Sequence, residues 1–281
     1  MFRKFLFGII PAFLVLITFS SSLWAKECLA VYGDSRDGHQ THREIVQRIL
    51  ERKPERVFHT GDMVNKPKAR KDWRTFIDIT RPVRKIASFF AVPGNHDGEP
   101  KSFWSVFSHQ SKDPWFLIDS GSLSYVILDT NRSLRADSKQ FKWLAATLDS
   151  AAREGKKAII FTHKPFFSVS SHYGEAFDGQ ESVRDLFERY GVSLVFSGHE
   201  HAYERFWDRG TTYVVTGGGG ALLHEKEVDD PRLKKFEMAY HFCYVCFDKE
   251  MFQVQVINNS NQVIEEFQVP ATALKDKRIQ Q

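Results

Sequence analysis

Ala87-Ser88-Phe89-Phe90-Ala91-Val92-Pro93-Gly94-Asn95-His96-Asp97 is the stretch from which the architecture can be worked out. Its first six residues are a largely apolar run closed by Pro-Gly, which predicts a short buried strand ending in a sharp turn. Turns at the carboxyl ends of buried strands are where open α/β sheets hold their ligands. This one sets an amide oxygen, an imidazole and a carboxylate side by side. Those groups suit metal ligation and proton transfer better than packing. Asn-His-Asp also makes an ordinary polar turn, so the reading depends on whether other strand ends look the same.

Four do. An apolar run over 28–32 ends in Gly33-Asp34-Ser35-Arg36, and one over 56–59 ends in Thr60-Gly61-Asp62. The run over 158–161 ends in Thr162-His163-Lys164-Pro165, and that over 192–196 in Ser197-Gly198-His199-Glu200-His201. Between them, apolar residues at helical spacing predict helices over 41–52, 137–154 and 182–190, with a further candidate over 73–84 whose end Pro82 obscures. Residues 115–118 and 123–129 predict a hairpin about Ser120-Gly121-Ser122. The last third reads as antiparallel strands over 242–247, 252–257 and 263–269. The class is α/β, in one domain over 26–270 followed by a polar tail over 271–281, with no repeat or low-complexity linker.

Composition narrows the function. The 281 residues are 42% hydrophobic and 26% charged, ordinary for a globular chain, with 25 Phe for an aromatic core. The formal charge is +4, and no basic tract of the kind that binds nucleic acid is present. Arg3 and Lys4 followed by an apolar run over 5–19 and Leu23-Trp24-Ala25 read as a signal peptide over 1–25, cut after Ala25. The mature protein is then secreted or periplasmic, with no stable membrane insertion. Removing the leader takes the charge to 37 basic against 35 acidic residues, or +2. Cys28, Cys243 and Cys246 allow one bridge in an oxidising compartment, and the sequence leaves the pair open.

The five turns offer Asp, Asn and His and no Cys, a donor set for Fe, Mn or Zn. Two such ions about 3.5–4 Å apart can clamp a phosphoryl group. At this point the ordered set Gly33-Asp34, Gly61-Asp62, Gly94-Asn95-His96-Asp97, Thr162-His163 and Gly198-His199-Glu200-His201 resembles the calcineurin-like metallophosphoesterases. The run Gly198-His199-Glu200-His201-Ala202-Tyr203-Glu204-Arg205 is similar to the last motif of their purple acid phosphatase branch. The resemblance implies a four-layer α/β/β/α sandwich, two mixed sheets face to face with helices outside, and a small-molecule phosphate ester as substrate. It implies two divalent or trivalent metal ions (Fe, Mn or Zn). Asp62 would bridge them, one ion taking Asp34 and His201, the other Asn95, His163 and His199. His96 would protonate the leaving oxygen, with Asp97 orienting it, while a metal-bridging hydroxide attacks phosphorus in line.

The departures from the family pattern are local. Many members have His two residues after the first Asp, where this chain has Arg36, and purple acid phosphatases have Tyr three residues after the second, where it has Asn65. By this resemblance the Asp34-side ion is one protein ligand short, and His42, near the start of the following helix, reads either as its replacement or as a solvent-facing or helix-capping residue. Without the Tyr no purple charge-transfer colour is expected. Arg36 reads either as a phosphate contact or as a structural ion pair. His172 reads as a pocket-lining residue or a plainly exposed one. The glycines over 217–220 read as a tight loop rimming the site, with His224 and Arg205 on the same rim. His59 reads as a satisfied strand-end residue, and His39, His109 and His241 carry no assigned role. Asn131 and Asn258 head glycosylation sequons, used where the host glycosylates exported proteins. Substrate choice is expected in loops over 66–74, 99–113 and 166–180.

Overall fold

The computed structural model describes residues 27–276 apart from 99, 108, 109 and 112. The leader, its cut site, His109 and the tail over 277–281 lie outside the described residues. Among the described residues, no helix is long and apolar enough to cross a membrane.

The chain alternates strands and helices through its first two thirds. In order these are β1 (Glu27–Tyr32), α1 (His39–Arg52), β2 (Arg56–His59), α2 (Arg70–Arg84), β3 (Ser88–Ala91) and α3 (Pro100–Phe107). Then come β4 (Phe116–Ser120), β5 (Leu123–Ile127), α4 (Lys139–Arg153), β6 (Lys157–Phe161), α5 (Gln180–Tyr190) and β7 (Leu194–Ser197). The remainder is strand: β8 (Tyr203–Asp208), β9 (Thr211–Thr216), β10 (Leu233–Glu237), β11 (His241–Phe247), β12 (Met251–Asn258) and β13 (Val263–Pro270).

These strands make two mixed sheets, ordered β13-β12-β11-β1-β2-β3 and β10-β8-β9-β7-β6-β5-β4. Within them β1, β2 and β3 are parallel, as are β5, β6, β7 and β9. One apolar cluster takes residues from both sheets, Leu29, Val31 and Phe58 with Tyr125, Phe161 and Phe196, and Phe58 stacks on Phe161 with ring centroids 4.1 Å apart. On the outer faces, α1, α2 and α3 cover the first sheet and α4 and α5 the second. The four-layer expectation holds.

Local sequence explains most element ends. In α1, His42, Ile45, Val46 and Ile49 fall on one buried face at helical spacing. The Ser138 hydroxyl accepts the Phe141 N–H and starts α4 two residues after the expected point. Pro82 is accommodated inside α2, which runs on to Arg84.

Two loop expectations need correction. The segment 99–113 is not simply a loop, because it contains α3, and the 66–74 loop gives way to α2 at Arg70. Of the expected tail over 271–281, residues 271–276 are described. Ala271 and Leu274 are buried, and the Leu274 and Lys275 N–H groups donate to the carbonyls of Lys156 and Tyr190 at 2.8 Å each. Strands β8 and β10 went unread, because Tyr-Glu-Arg-Phe-Trp-Asp and Leu-Lys-Lys-Phe-Glu carry charges that hide their alternation.

Cys28 and Cys246 sit opposite each other on β1 and β11 and form the disulfide, while Cys243 is free and buried.

Candidate metal centre

The carboxyl ends of β1, β2, β3, β6 and β7 open at a common edge, and backbone hydrogen bonds knit their turns together. Asp34 N–H donates to the Gly61 carbonyl at 2.9 Å, and Gly198 N–H to the His163 carbonyl at 2.9 Å. The His199 N–H crosses from one sheet to the other, donating to Asp34 Oδ2 at 2.9 Å. Asp34, Asp62 and His199 have φ of 57°, 58° and 71°, a left-handed backbone uncommon outside glycine. Each follows a glycine. A Cβ on Gly94 would lie 2.2 Å from Asp62 N, and one on Gly198 would lie 2.4 Å from Asp34 Oδ2, so the turns meet only where side chains are absent.

On one side of Asp62, four donor atoms converge. Asn95 Oδ1 lies 2.7 Å from His163 Nε2 and 3.0 Å from His199 Nδ1, and Asp62 Oδ1 lies 3.5 Å from His163 Nε2. His163 Nδ1 faces the Thr60 carbonyl at 2.9 Å and therefore carries the proton. Its Nε2 is then a lone pair turned toward an amide oxygen and a carboxylate oxygen. Acceptors crowded together in this way call for a cation between them.

On the other side, Asp34 Oδ1 is buried without a hydrogen-bond partner and lies 3.7 Å from His201 Nε2. His201 Nδ1 donates to the Leu222 carbonyl at 2.7 Å, so this Nε2 is also a lone pair. Here a cation is already present. Arg36 Nε lies 3.3 Å from Asp62 Oδ2, with Nη1 3.5 Å from Asp37. Of the two readings of Arg36, the ion pair is the one observed.

The electrostatics agree. Burial, then the neighbouring Asp62, pushes the Asp34 carboxyl well above the usual carboxylate range. Burial also lowers His163, takes His199 down to about 2 and takes His201 down to about 4. Neutral imidazoles and crowded carboxylates are a set that positive ions would complete. The residues therefore fit a metal centre.

His96 stands at the open side, about a third exposed, with its backbone N–H on Asp62 Oδ1 at 2.9 Å and its Nε2 3.9 Å from Asp62 Oδ2. Asp97 does not orient it. The Asp97 carboxylate is fully buried and accepts the backbone N–H groups of Asp62 (2.9 Å), Met63 (2.8 Å) and Gly94 (2.8 Å). Burial, then Asp62, raises it to about 7 in spite of those donors. It braces two turns.

His42 is not brought to the Asp34 side. Its Nε2 meets the Tyr32 hydroxyl at 3.0 Å, and its ring stacks on Phe76 with centroids 5.7 Å apart. Burial lowers it to about 3, as for a neutral core histidine. The same cluster holds His59, whose Nε2 meets Ser35 Oγ at 3.0 Å.

His172 does reach the site, 4.3 Å from His199 between ring centroids. It belongs to a group the sequence reading missed. Glu200, fully buried, meets His172 Nδ1 at 3.1 Å and His224 Nδ1 at 3.0 Å, and His224 stacks on His201 with centroids 4.1 Å apart. A carboxyl set between two site histidines was the available signal. Arg205 leaves the rim, paired instead with Glu265 (Nε to Oε2 3.1 Å) and lying over Phe267. The glycine loop does pack on the first turn, with Gly219 N–H donating to the Gly33 carbonyl at 2.8 Å. Beside Asn95 opens a cavity of about 560 Å³ lined in part by Lys68, Trp104, Asn131 and Arg132.

Comparison with known proteins gives this geometry a context. The chain is 23% identical over 280 residues to "Probable inactive purple acid phosphatase 1" of Arabidopsis thaliana, covering 83% of this chain and 44% of the relative. It is 24% identical over 225 residues to a "Nucleotide pyrophosphatase/phosphodiesterase" of Hordeum vulgare, covering 64% and 61%. The chain thus spans less than two thirds of the length of either. Among solved structures, purple acid phosphatase PPD1 from yellow lupin (Lupinus luteus) seeds superposes with a TM-score of 0.78 at 19% identity, over 90% of this chain and 55% of that one, a likeness of fold. The calcineurin-like phosphoesterase family profile matches residues 29–203, from β1 through the last histidine motif. With that match spanning most of the described chain and all five turns, the protein belongs to the calcineurin-like phosphoesterase family.

Proposed function

We propose that this chain is an exported, metal-dependent hydrolase of phosphate esters, with monoesters favoured over diesters. The observation that carries the reading is the crowding of Asn95 Oδ1, His163 Nε2, His199 Nδ1 and Asp62 Oδ1 at one edge of the two sheets. These four would hold one ion, and Asp34, Asp62 and His201 would offer a second position. Ions held there would polarise the phosphoryl group and make water acidic enough to attack at neutral pH.

The chain's own residues do the rest. His96, about a third exposed beside Asp62, would give a proton to the leaving oxygen. Glu200 holds His172 and His224 by their Nδ1 atoms beside His199 and His201, fixing two further imidazoles at the edge of the site. The open cavity beside Asn95, with Lys68 and Arg132 on its rim, suits the leaving group of an anionic ester. Export is supported by the leader and by the Cys28–Cys246 bridge, which persists in an oxidising compartment.

The test is metal content by mass spectrometry together with hydrolysis of para-nitrophenyl phosphate and its bis-ester. Bound metal with monoester turnover is expected. Turnover of the bis-ester alone would move the assignment to a phosphodiesterase. No metal and no turnover would leave a binding protein on the same fold. His96→Ala should slow esters with leaving groups of high pKa by about 10²–10⁴-fold and activated esters much less. Equal slowing of both would remove His96 from the acid role.

A further inference from the structure

Arg36 occupies an unusual place for a permanent cation. Its side chain is four-fifths buried, at 19% exposure, and its Nε, buried without a hydrogen-bond partner, lies 3.3 Å from Asp62 Oδ2 as an ion pair. Asp62 Oδ1 faces the other way, toward His163. The Arg36 backbone N–H donates to the Asp62 carbonyl at 3.2 Å, so the first turn is fastened where its side chain must meet this carboxylate.

The two sides of Asp62 are therefore unequal. The His163 side offers four donors, Asp62 Oδ1, Asn95 Oδ1, His163 Nε2 and His199 Nδ1, the number a tetrahedral ion needs from protein alone. The Asp34 side offers Asp34 Oδ1 and His201 Nε2, and its third oxygen, Asp62 Oδ2, is paired with Arg36. An imidazole in the place of Arg36 would donate a lone pair. A guanidinium has none to give, and it keeps its charge at every working pH. An ion entering this side meets fewer ligands and a fixed like charge.

We propose that Arg36 supplies the positive charge on the Asp34 side, so that the protein holds one metal ion tightly, on the His163 side, and a second at least 100-fold more weakly. The proposal rests on the metal-centre reading above. In this arrangement the guanidinium, held between Asp62 and Asp37, leaves its fixed charge beside the tightly held ion.

The experiment counts ions rather than turnover. Chelator-stripped protein is titrated with Zn²⁺, and separately with Mn²⁺, in competition with a chromophoric chelator. Metal per chain is then measured after desalting. Wild type should retain one ion and show a second phase at least 100-fold weaker. Arg36→His, which adds a ligand and removes the fixed charge, should retain two. Arg36→Gln, which removes the charge alone, should tighten the second phase at least tenfold. Two ions retained by wild type with similar affinity would overturn the proposal while leaving the phosphoesterase reading intact, and that titration needs no variant to fold. A count that stays at one in folded Arg36→His would overturn it too. No ion retained in any form would remove the metal reading and this proposal together.

Discussion

Asp97 Oδ2 accepts the backbone N–H of Asp62 at 2.9 Å and that of Gly94 at 2.8 Å, so one buried oxygen ties the second turn of the site to the third. Asp97→Asn replaces one carboxylate oxygen with an NH₂ group that faces N–H donors. The loss of a buried, charge-assisted acceptor should cost roughly 2–4 kcal/mol. Urea unfolding of the variant measures it. Because Asp62 is misplaced as a consequence, retained metal should fall in the folded variant as well. Unchanged stability and metal content would reduce Asp97 to a bystander.

His42→Ala should leave metal content unchanged and destabilise the protein by about 2–3 kcal/mol, since it empties a packed position against Phe76 and Tyr32. The acid side gives an independent check. A histidine lowered to about 3 in the fold and near 6.5 when unfolded contributes stability that is present above pH 6.5 and is lost as pH falls toward 3. Removing His42 should therefore shrink the stability lost between pH 7 and 5 by about 2 kcal/mol, read from urea curves at both values. Loss of bound metal in folded His42→Ala would return it to the site.

Glu204 predicts the opposite slope. Burial raises its carboxyl to about 8, although Ser170 and the Val169 N–H both donate to it. An acid whose folded pKa is raised gives a fold that is most stable below the unfolded value near 4.5 and loses stability as pH rises through 8. Glu204→Gln should remove that slope, gaining on the order of a few kcal/mol over wild type at pH 8.5 relative to pH 5. Thermal melts of both proteins across this range check it. Parallel curves would show that the group is already ionised at neutral pH.

Breaking the Cys28–Cys246 bridge should cost about 2–4 kcal/mol. The bridge closes a sequence separation of 218 residues by joining β1 to β11. The double variant Cys28→Ala/Cys246→Ala should unfold at lower urea than the oxidised protein, and a reducing agent should move wild type to the same midpoint. A midpoint unaffected by either change would mean that strand pairing alone carries this junction.

What the sequence shows, and what it hides, follows from how far each cause reaches along the chain. The turns at Asp34, Asp62, Asn95 and His199 are legible because the glycine that lets the backbones meet stands next to the polar residue it presents. The two-sheet plan is legible because buried strands read as apolar runs. His42 was misplaced although the signal was there. With Ile45, Val46 and Ile49 it completes one helical stripe, and a residue on that stripe faces the core rather than the loop before it. Helix phase outweighed nearness in sequence. The tie between Glu200 and His224, 24 residues apart, depends on the path of the loop between β9 and β10, which no local pattern specifies. The braces on Asp97 are hidden for a related reason, since its partners are backbone N–H groups of another turn and leave no mark in residue identity.

The candidate donors are divided between the two sheets: Asp34, Asp62 and Asn95 follow strands of one, while His163, His199 and His201 follow strands of the other. An ion that takes atoms from both halves is a clasp across the seam. Its binding energy then becomes resistance to the halves parting, so the melting temperature should climb with free ion concentration. Withholding ions should therefore loosen the seam between the sheets, independently of any effect on turnover.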